Sequence, residues 1–583
     1  MTDKTNYWTS KRFTRRTAIR SVAGVTLGLV GANLIGCSGS NNAANQKPAA
    51  AGTSAGAASA TGVSSTPHPA GQAISTPAAA ASAVNRGGVL KFIYDSASQQ
   101  FLSPRASARG NDSNFLLVNG DNCIYLKADG TLDPAWSLLE KWEQADPTTF
   151  VGHLRSGIKF HDGTSFDSQA IKGQMELLND PKRAPNFLYR SNIQPIKETQ
   201  VVDATTVRFL LNSPSAGFTV SVLGFTPGIP FSLAQVTKLG DGEILNPSMT
   251  GPYKVDSWGA GGTTWSYATN SDYWRKADGP PYLDKIQFQG VDQDETRAAS
   301  LETGEVDAVI FNASNETTAR LVKNKALQAR VFEAGPALLL LNHAKAPLDD
   351  LKVRQAVAYA IDKQKCLAVL YQGQGSVAKS ELPRGTFGYY EYDPYPFDQA
   401  KAKALVAASG LPTPIKLSYA LTGTPPAASA VLTASLFKDM LDSVGFDVTI
   451  QNVADIQDFY LRDATHLSTS SSGARPDPVE QYATYDTSTA NFNAGKKSKD
   501  PVQAQVDDLV AKARVQFDTS ARLQLLQDLA KLCRDNVIGN ITTVARTRGA
   551  FASQRVGGFD HPEFINIPGG DAFRASLLWL KKA

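Results

Sequence analysis

Ser38 to Val84 is almost entirely Ala, Ser, Thr, Gly, Pro and Asn. A tract of that composition buries too little apolar surface to offset the entropy of ordering it. It therefore reads as a flexible tether over residues 37–85 and divides the chain into a leader, residues 1–36, and a body that starts near Gly87-Gly88. The body is longer than one ordinary domain and can bury a large core. The tether contains Gly52-Thr53-Ser54-Ala55-Gly56, which matches the hydrolase nucleophile elbow. The match follows from composition, because an elbow needs a strand before it and a helix after it.

The leader carries Lys11, Arg12, Arg15, Arg16 and Arg20, then an apolar stretch from Val22 to Ile35 diluted by glycines, then Gly36 and Cys37. A basic head, a short apolar run and a small residue at the cut site make a secretory signal. The run is shorter than the roughly 20 residues a spanning helix needs. Thr14–Arg20 resembles a twin-arginine export signal, although Ala18 replaces the bulky residue that pattern prefers, which leaves the general secretory route open. Leu34-Ile35-Gly36-Cys37 resembles a bacterial lipobox, which implies lipidation of Cys37, a membrane anchor and a place in the cell envelope.

The formal net charge of +4 misleads. Residues 1–36 hold six basic residues and one acidic residue, so the rest of the chain nets −1 and gives no basic surface for nucleic acid. Besides Cys37, Cys123, Cys366 and Cys533 fit neither a zinc spacing nor a disulfide framework and read as small buried hydrophobes. The six histidines are scattered without an H-x-x-x-H pair, so neither a metal site nor a cofactor is expected.

Within the body, Val89–Tyr94 reads as a buried strand. Val353, Ala356, Val357, Ala360 and Ile361 form a helical stripe. A second helix runs from Asp398 as N-cap to Gly410 as its stop, followed by a strand at Ile415–Leu421. Leu432 to Leu441 is helical, Gly445 ends it, and Val448 and Ile450 alternate as a strand. A helical pair covers about Val502 to Val537. Such alternation predicts an α/β fold. Gly373–Ala378 mimics a dinucleotide loop but follows a helix, not a strand.

Several stretches occur in the order of the family 5 extracellular solute-binding proteins, the peptide- and nickel-type receptors of ABC importers. Arg86–Leu90 resembles the start of their mature domain, and Ala128–Pro134 with Leu139–Trp142 resembles the next station. His153–Thr164, which reads H-L-R-S-G-I-K-F-H-D-G-T, is the closest match. Thr250–Tyr253, Tyr273-Trp274, Gly304–Asp307, Val353–Asp362 and Ser520–Arg522 continue the series to cover about residues 86–583. The resemblance implies a two-lobed, periplasmic-binding-protein-like α/β fold with a third subdomain. Lobe I would comprise 86–131, 241–340 and 550–583, the extra subdomain 132–240, and lobe II 341–549. It also implies a monomer that closes on a small-molecule or peptide ligand and delivers it to a membrane permease, without catalysis. The other readings are a secreted hydrolase and a signalling receptor that feeds no permease.

In peptide-binding members of that family, a tryptophan-containing segment before an Asp-Pro carries the acid that grips the ligand's amino group. Here the aligned segment is Ser468–Pro478, with Ser471 in place of the tryptophan and Ala474 in place of the acid. Arg475 would instead offer a planar fork to a carboxylate or phosphate, with hydroxyl contacts from Ser471 and Ser472. The competing reading pairs Arg475 with Asp477 or Glu480 on the surface. Asp121 and Asn122 align with an acidic pocket position of the family, or else form a turn. Asp477, Tyr482, and Tyr389 with Tyr390, Tyr392 and Tyr395, complete the candidate ligand set, the alternative for each tyrosine being packing.

Overall fold

The computed structural model describes residues 84–94 and 113–582, interrupted at 128–129, 185–186, 188, 241–245, 260–262, 292, 312–315, 423–425, 427, 454–455, 463, 473–474, 491 and 565–573. The leader, Cys37, residues 38–83 of the tether and the Gly52–Gly56 motif lie outside the described residues, as does Ala474.

Ten strands form one mixed sheet in the order Phe446–Val453, Ile415–Thr422, Leu467–Ser471, Leu327–Leu341, Asn540–Ser553, Ala308–Phe311, Val89–Tyr94, Lys285–Gly290, Thr264–Thr269 and Tyr253–Trp258. Ser376–Val377 adds an eleventh against Asn540–Ser553. Parallel pairs lie towards both ends, Val89–Tyr94 with Lys285–Gly290 and Ile415–Thr422 with Phe446–Val453. Their connections are long enough to carry helices, as parallel pairing requires.

Two lobes divide this sheet. One core gathers Leu90, Phe92, Tyr253, Trp265, Phe288, Ala550 and Leu578. The other gathers Leu339, Leu341, Val353, Val357, Leu417, Phe437, Val448 and Val544. The antiparallel strands Leu327–Leu341 and Asn540–Ser553 pass from one to the other. Residues 308–311 flank their first part and residues 467–471 their second. Between Glu333 and Leu338 their register shifts twice. Gly335, at φ 62°, occupies the irregularity, where a Cβ would lie 2.4 Å from the Ser472 carbonyl. Only glycine fits both the dihedral and the gap.

A separate antiparallel sheet, in the order Leu139–Asp146, Thr149–Leu154, Thr206–Leu211, Ile196–Asp203, packs on the helix Ser168–Asn179. Its core includes Phe150, Phe209, Phe218, Ile171 and Leu178, and extends to Leu116, Leu117 and Met249.

The sequence stations are explained by local bonding. Asp133 caps the turn Pro134–Trp136, and Arg155 donates to the carbonyls of Ser137 (2.9 Å) and Pro134 (2.7 Å), tying two stations together. In the H-D-G-T stretch Asp162 accepts from the Thr164 amide (3.0 Å) and hydroxyl (2.6 Å), while Gly163 turns at φ 86°. His161 is half-buried against the Gly251 carbonyl (3.0 Å), and desolvation depresses its pKa to about 4, so it is neutral near pH 7. Arg354 is fully buried in the helix Leu351–Ala360, where it donates to the carbonyls of Leu348, Asp349 and Asn536 and pairs with Asp500 at 3.0 Å. Asp362 and Asp398 each cap the next helix, Lys363–Tyr371 and Gln399–Ala408. Cys123, Cys366 and Cys533 are buried free thiols. Among the described residues no helix is long and apolar enough to cross a membrane.

Candidate functional site

Strand Leu467–Ser471 is third from one edge of the sheet, beside the crossing strand Leu327–Leu341, and the chain leaves it towards Arg475. Ser471 is exposed opposite Ala337. Ser472 is buried: its amide donates to the Pro336 carbonyl (3.1 Å) and its carbonyl accepts from Arg546 (3.2 Å). Ser472 thereby clamps the Gly335 irregularity.

Arg475 is half-buried, with its guanidinium 5.6 Å from the ring centre of Tyr189. Tyr189 belongs to the core of the four-stranded unit and packs edge-on against Phe225 at 4.8 Å. Arg475 has no hydrogen-bond or ion-pair partner among the described residues. The acids near it in sequence are engaged elsewhere. Asp477 is held by Arg522 at 2.9 and 2.7 Å and caps the Val479 amide at 2.9 Å. Glu480 takes Arg514 through two bonds of 3.1 Å. The surface pairing of Arg475 with Asp477 or Glu480 is therefore not what forms.

Asp121 and Asn122 follow the helix Ser113–Asn119 and are buried. Asp121 accepts from Tyr273 Oη (3.1 Å) and Trp274 Nε1 (2.9 Å), and Asn122 donates to the Phe225 carbonyl (3.2 Å). Burial pushes the Asp121 pKa up, against those donors and the charges of Arg574 and Arg275. Arg275 lies 3.6 Å from the ring centre of Trp136, and Arg574 lies 3.7 Å from that of Tyr125. This is an interlocked stack of rings and guanidiniums.

The tyrosine cluster divides. Tyr392 and Tyr395 donate to the side chain and backbone of Asp535, at the end of the helix Thr519–Asp535. Tyr389 donates to Glu391 (2.9 Å) under Arg384, which also faces Glu333 on the crossing strand. Tyr482 is 1% exposed and packs with Leu382, Val510, Leu526 and Cys533. Arg475 is thus brought onto Tyr189, a few residues along the chain from the exposed Ser471, whereas Ser472, Asp477, Tyr482 and Asp121 are fixed by neighbours of their own.

Sequence reasoning missed four residues. Tyr189 carries no pattern that marks it. Arg522 stood in a recognised station, but its partner lies 45 residues away. Glu381 and Asp486 are buried side by side, with Arg534 the compensating cation among the described residues, and burial raises the pKa of both. Neither acid lies in a motif.

These features define a two-lobed α/β fold whose lobes are joined by crossing strands. The family model for bacterial extracellular solute-binding proteins, family 5 Middle, matches residues 134–494, and the chain belongs to that family. The glutathione-binding protein GsiB of Salmonella paratyphi A is 33% identical over 272 residues, covering 46% of this chain and 51% of that protein. GsiB of Escherichia coli O157:H7 matches equally. The match spans about half the length of these curated relatives. Among solved structures, the binding protein AgaA from A. tumefacien R10 in complex with agropinic acid superposes with a TM-score of 0.72 at 22% identity, over 85% of this chain and 99% of that one. DppA from Helicobacter pylori in complex with the peptide STSA gives the same values. NikA from Staphylococcus aureus in complex with Ni(L-His)2 gives 0.68 at 19% identity, over 85% and 100%. These likenesses support the peptide- and nickel-type binding-protein fold.

Proposed function

We propose that the chain is the substrate-binding component of an ABC importer, taking a peptide-like or other small polar solute with an anionic group. The observation that carries this reading is Arg475: a half-buried guanidinium stacked on Tyr189 without a counter-charge among the described residues. Burying an uncompensated charge is costly, and a carboxylate or phosphate received by its planar fork relieves that cost. Ser471 and Ser472 stand beside it as hydroxyl donors, with Tyr389 at the crossing strand.

Closure supplies the mechanism. Lobe I (86–131, 241–340 and 550–583) with the extra unit (132–240) turns against lobe II (341–549) about the irregular ladder at Glu333–Leu338. Solute held from both sides favours the closed form, and a membrane permease reads it. The known binding partners of relatives agree with a receptor rather than an enzyme: glutathione for GsiB, a peptide for DppA, agropinic acid for AgaA. We place the receptor in the cell envelope as a monomer, exported by its leader and held through lipidated Cys37 on the tether.

Native mass spectrometry of freshly purified protein identifies the solute it retains. Arg475→Ala is then expected to weaken binding of that solute at least tenfold, the scale of one charged hydrogen bond. Unchanged affinity removes Arg475 from the site. An unmodified Cys37 in the membrane fraction removes the anchor.

A further inference from the structure

The four-stranded unit touches the lobes in two unlike ways. Towards lobe I its apolar core runs on without a break through Leu116, Leu117 and Met249. Towards lobe II it presents the loop 212–218, beside a cavity of about 470 Å³ whose lining mixes polar groups such as Asn212, Glu480 and Arg514 with apolar ones such as Pro214, Phe218 and Val515. At this contact the Ala216 amide donates to the Arg514 carbonyl (2.8 Å). Gly217 lies so close to Asp477 that a Cβ would sit 1.6 Å from Oδ2.

We propose that the loop 212–218 is a latch that seats in lobe II when the lobes close, with Asp477 as its seat. The proposal rests on the hinge reading above. The seat is rigid and belongs wholly to lobe II. Arg522 grips Asp477 with one nitrogen and donates from Nε to the Ala513 carbonyl at 2.9 Å. Asp477 also starts the helix Val479–Tyr485. Three helix ends thus meet at one carboxylate: Val479–Tyr485, Pro501–Val515 and Thr519–Asp535. Gly217 fits this seat because it has no side chain. One backbone hydrogen bond beside an open cavity holds less tightly than the continuous apolar junction with lobe I, so the latch releases when the lobes part. It adds about five- to tenfold to the closed population, the net worth of one hydrogen bond. Solute retention therefore depends on a loop that does not touch the solute.

The test is an Ala216→Cys, Arg514→Cys double variant of the full chain under mild oxidation. A backbone hydrogen bond of 2.8 Å brings the two residues near the Cα separation of about 4.4–6.8 Å that a disulfide spans. Cys123, Cys366 and Cys533 are buried and do not compete. The expected result is a cross-link that accumulates over time, a smaller radius of gyration when oxidised than when reduced, and formation about tenfold slower when Gly217→Leu is added. Gly217→Ala, a milder clash, slows it less and guards against a folding defect, which an unchanged melting temperature also excludes. A cross-link that forms equally fast with Gly217→Leu overturns the latch. One that forms at once without any compaction shows a fixed union, and the hinge reading falls with the latch. No cross-link, in a protein that still compacts with its retained solute, removes the latch alone.

Discussion

The four-stranded unit has an oily side and a wet side. Where it meets lobe I, Phe150, Phe209 and Phe218 pack ring against ring in the core that continues into Leu116 and Met249. Where it meets lobe II, a loop, a backbone hydrogen bond and two arginine–carboxylate pairs border an open cavity. Continuous apolar burial resists separation, because parting it returns about 25 cal/mol to water for each Å². A polar contact exchanges its bonds for water at little net cost. On the proposed hinge the unit would therefore move with lobe I, and the side facing lobe II would be where the molecule opens.

Substitutions break this contrast in graded ways. Phe150→Ala empties a fully buried site and is expected to lower stability by about 3–5 kcal/mol in urea unfolding. A loss below about 1 kcal/mol there means that the apolar junction is not continuous. Arg522→Gln leaves Asp477 buried without its partner and is expected to cost about 3 kcal/mol. Arg514→Ala removes an exposed pair and is expected to cost at most about 1 kcal/mol, less in high salt. Equal losses for the two arginines would erase the distinction between seat and rim.

The Glu381–Asp486 pair adds a pH test. Both folded-state pKa values lie above their unfolded values, so the folded protein holds an extra proton. That stability is complete below the unfolded carboxylate range and is lost as pH rises towards the folded values. Asp486→Asn is neutral throughout and should flatten the decline in melting temperature as pH rises above the unfolded carboxylate range. A decline as steep as in the parent assigns it to other groups.

Local signals in the sequence were faithful to the fold. Asp362, Asp398 and Gly410 start or stop helices as their chemistry predicts, because capping is settled within a few residues. The ordered stations revealed the family for a related reason: Arg155 and Arg354 hold carbonyls that any such chain must satisfy. The site was less legible. Arg475 was singled out as a fork for an anion, but Tyr189 beneath it comes from another part of the chain. Asp477 was a candidate ligand residue, yet its partner Arg522 lies on a distant helix. Tyr482 was marked as an aromatic near the cleft, but burial decides its neighbours and no spacing encodes burial. Pairings made between segments distant in sequence leave no periodicity to read.

The most direct test of closure about the crossing strands is small-angle scattering of the purified protein with its retained solute and after that solute is stripped. The account predicts a smaller radius of gyration in the loaded form, with Arg475→Ala remaining expanded at the same solute concentration. A radius unchanged by saturating solute would contradict it.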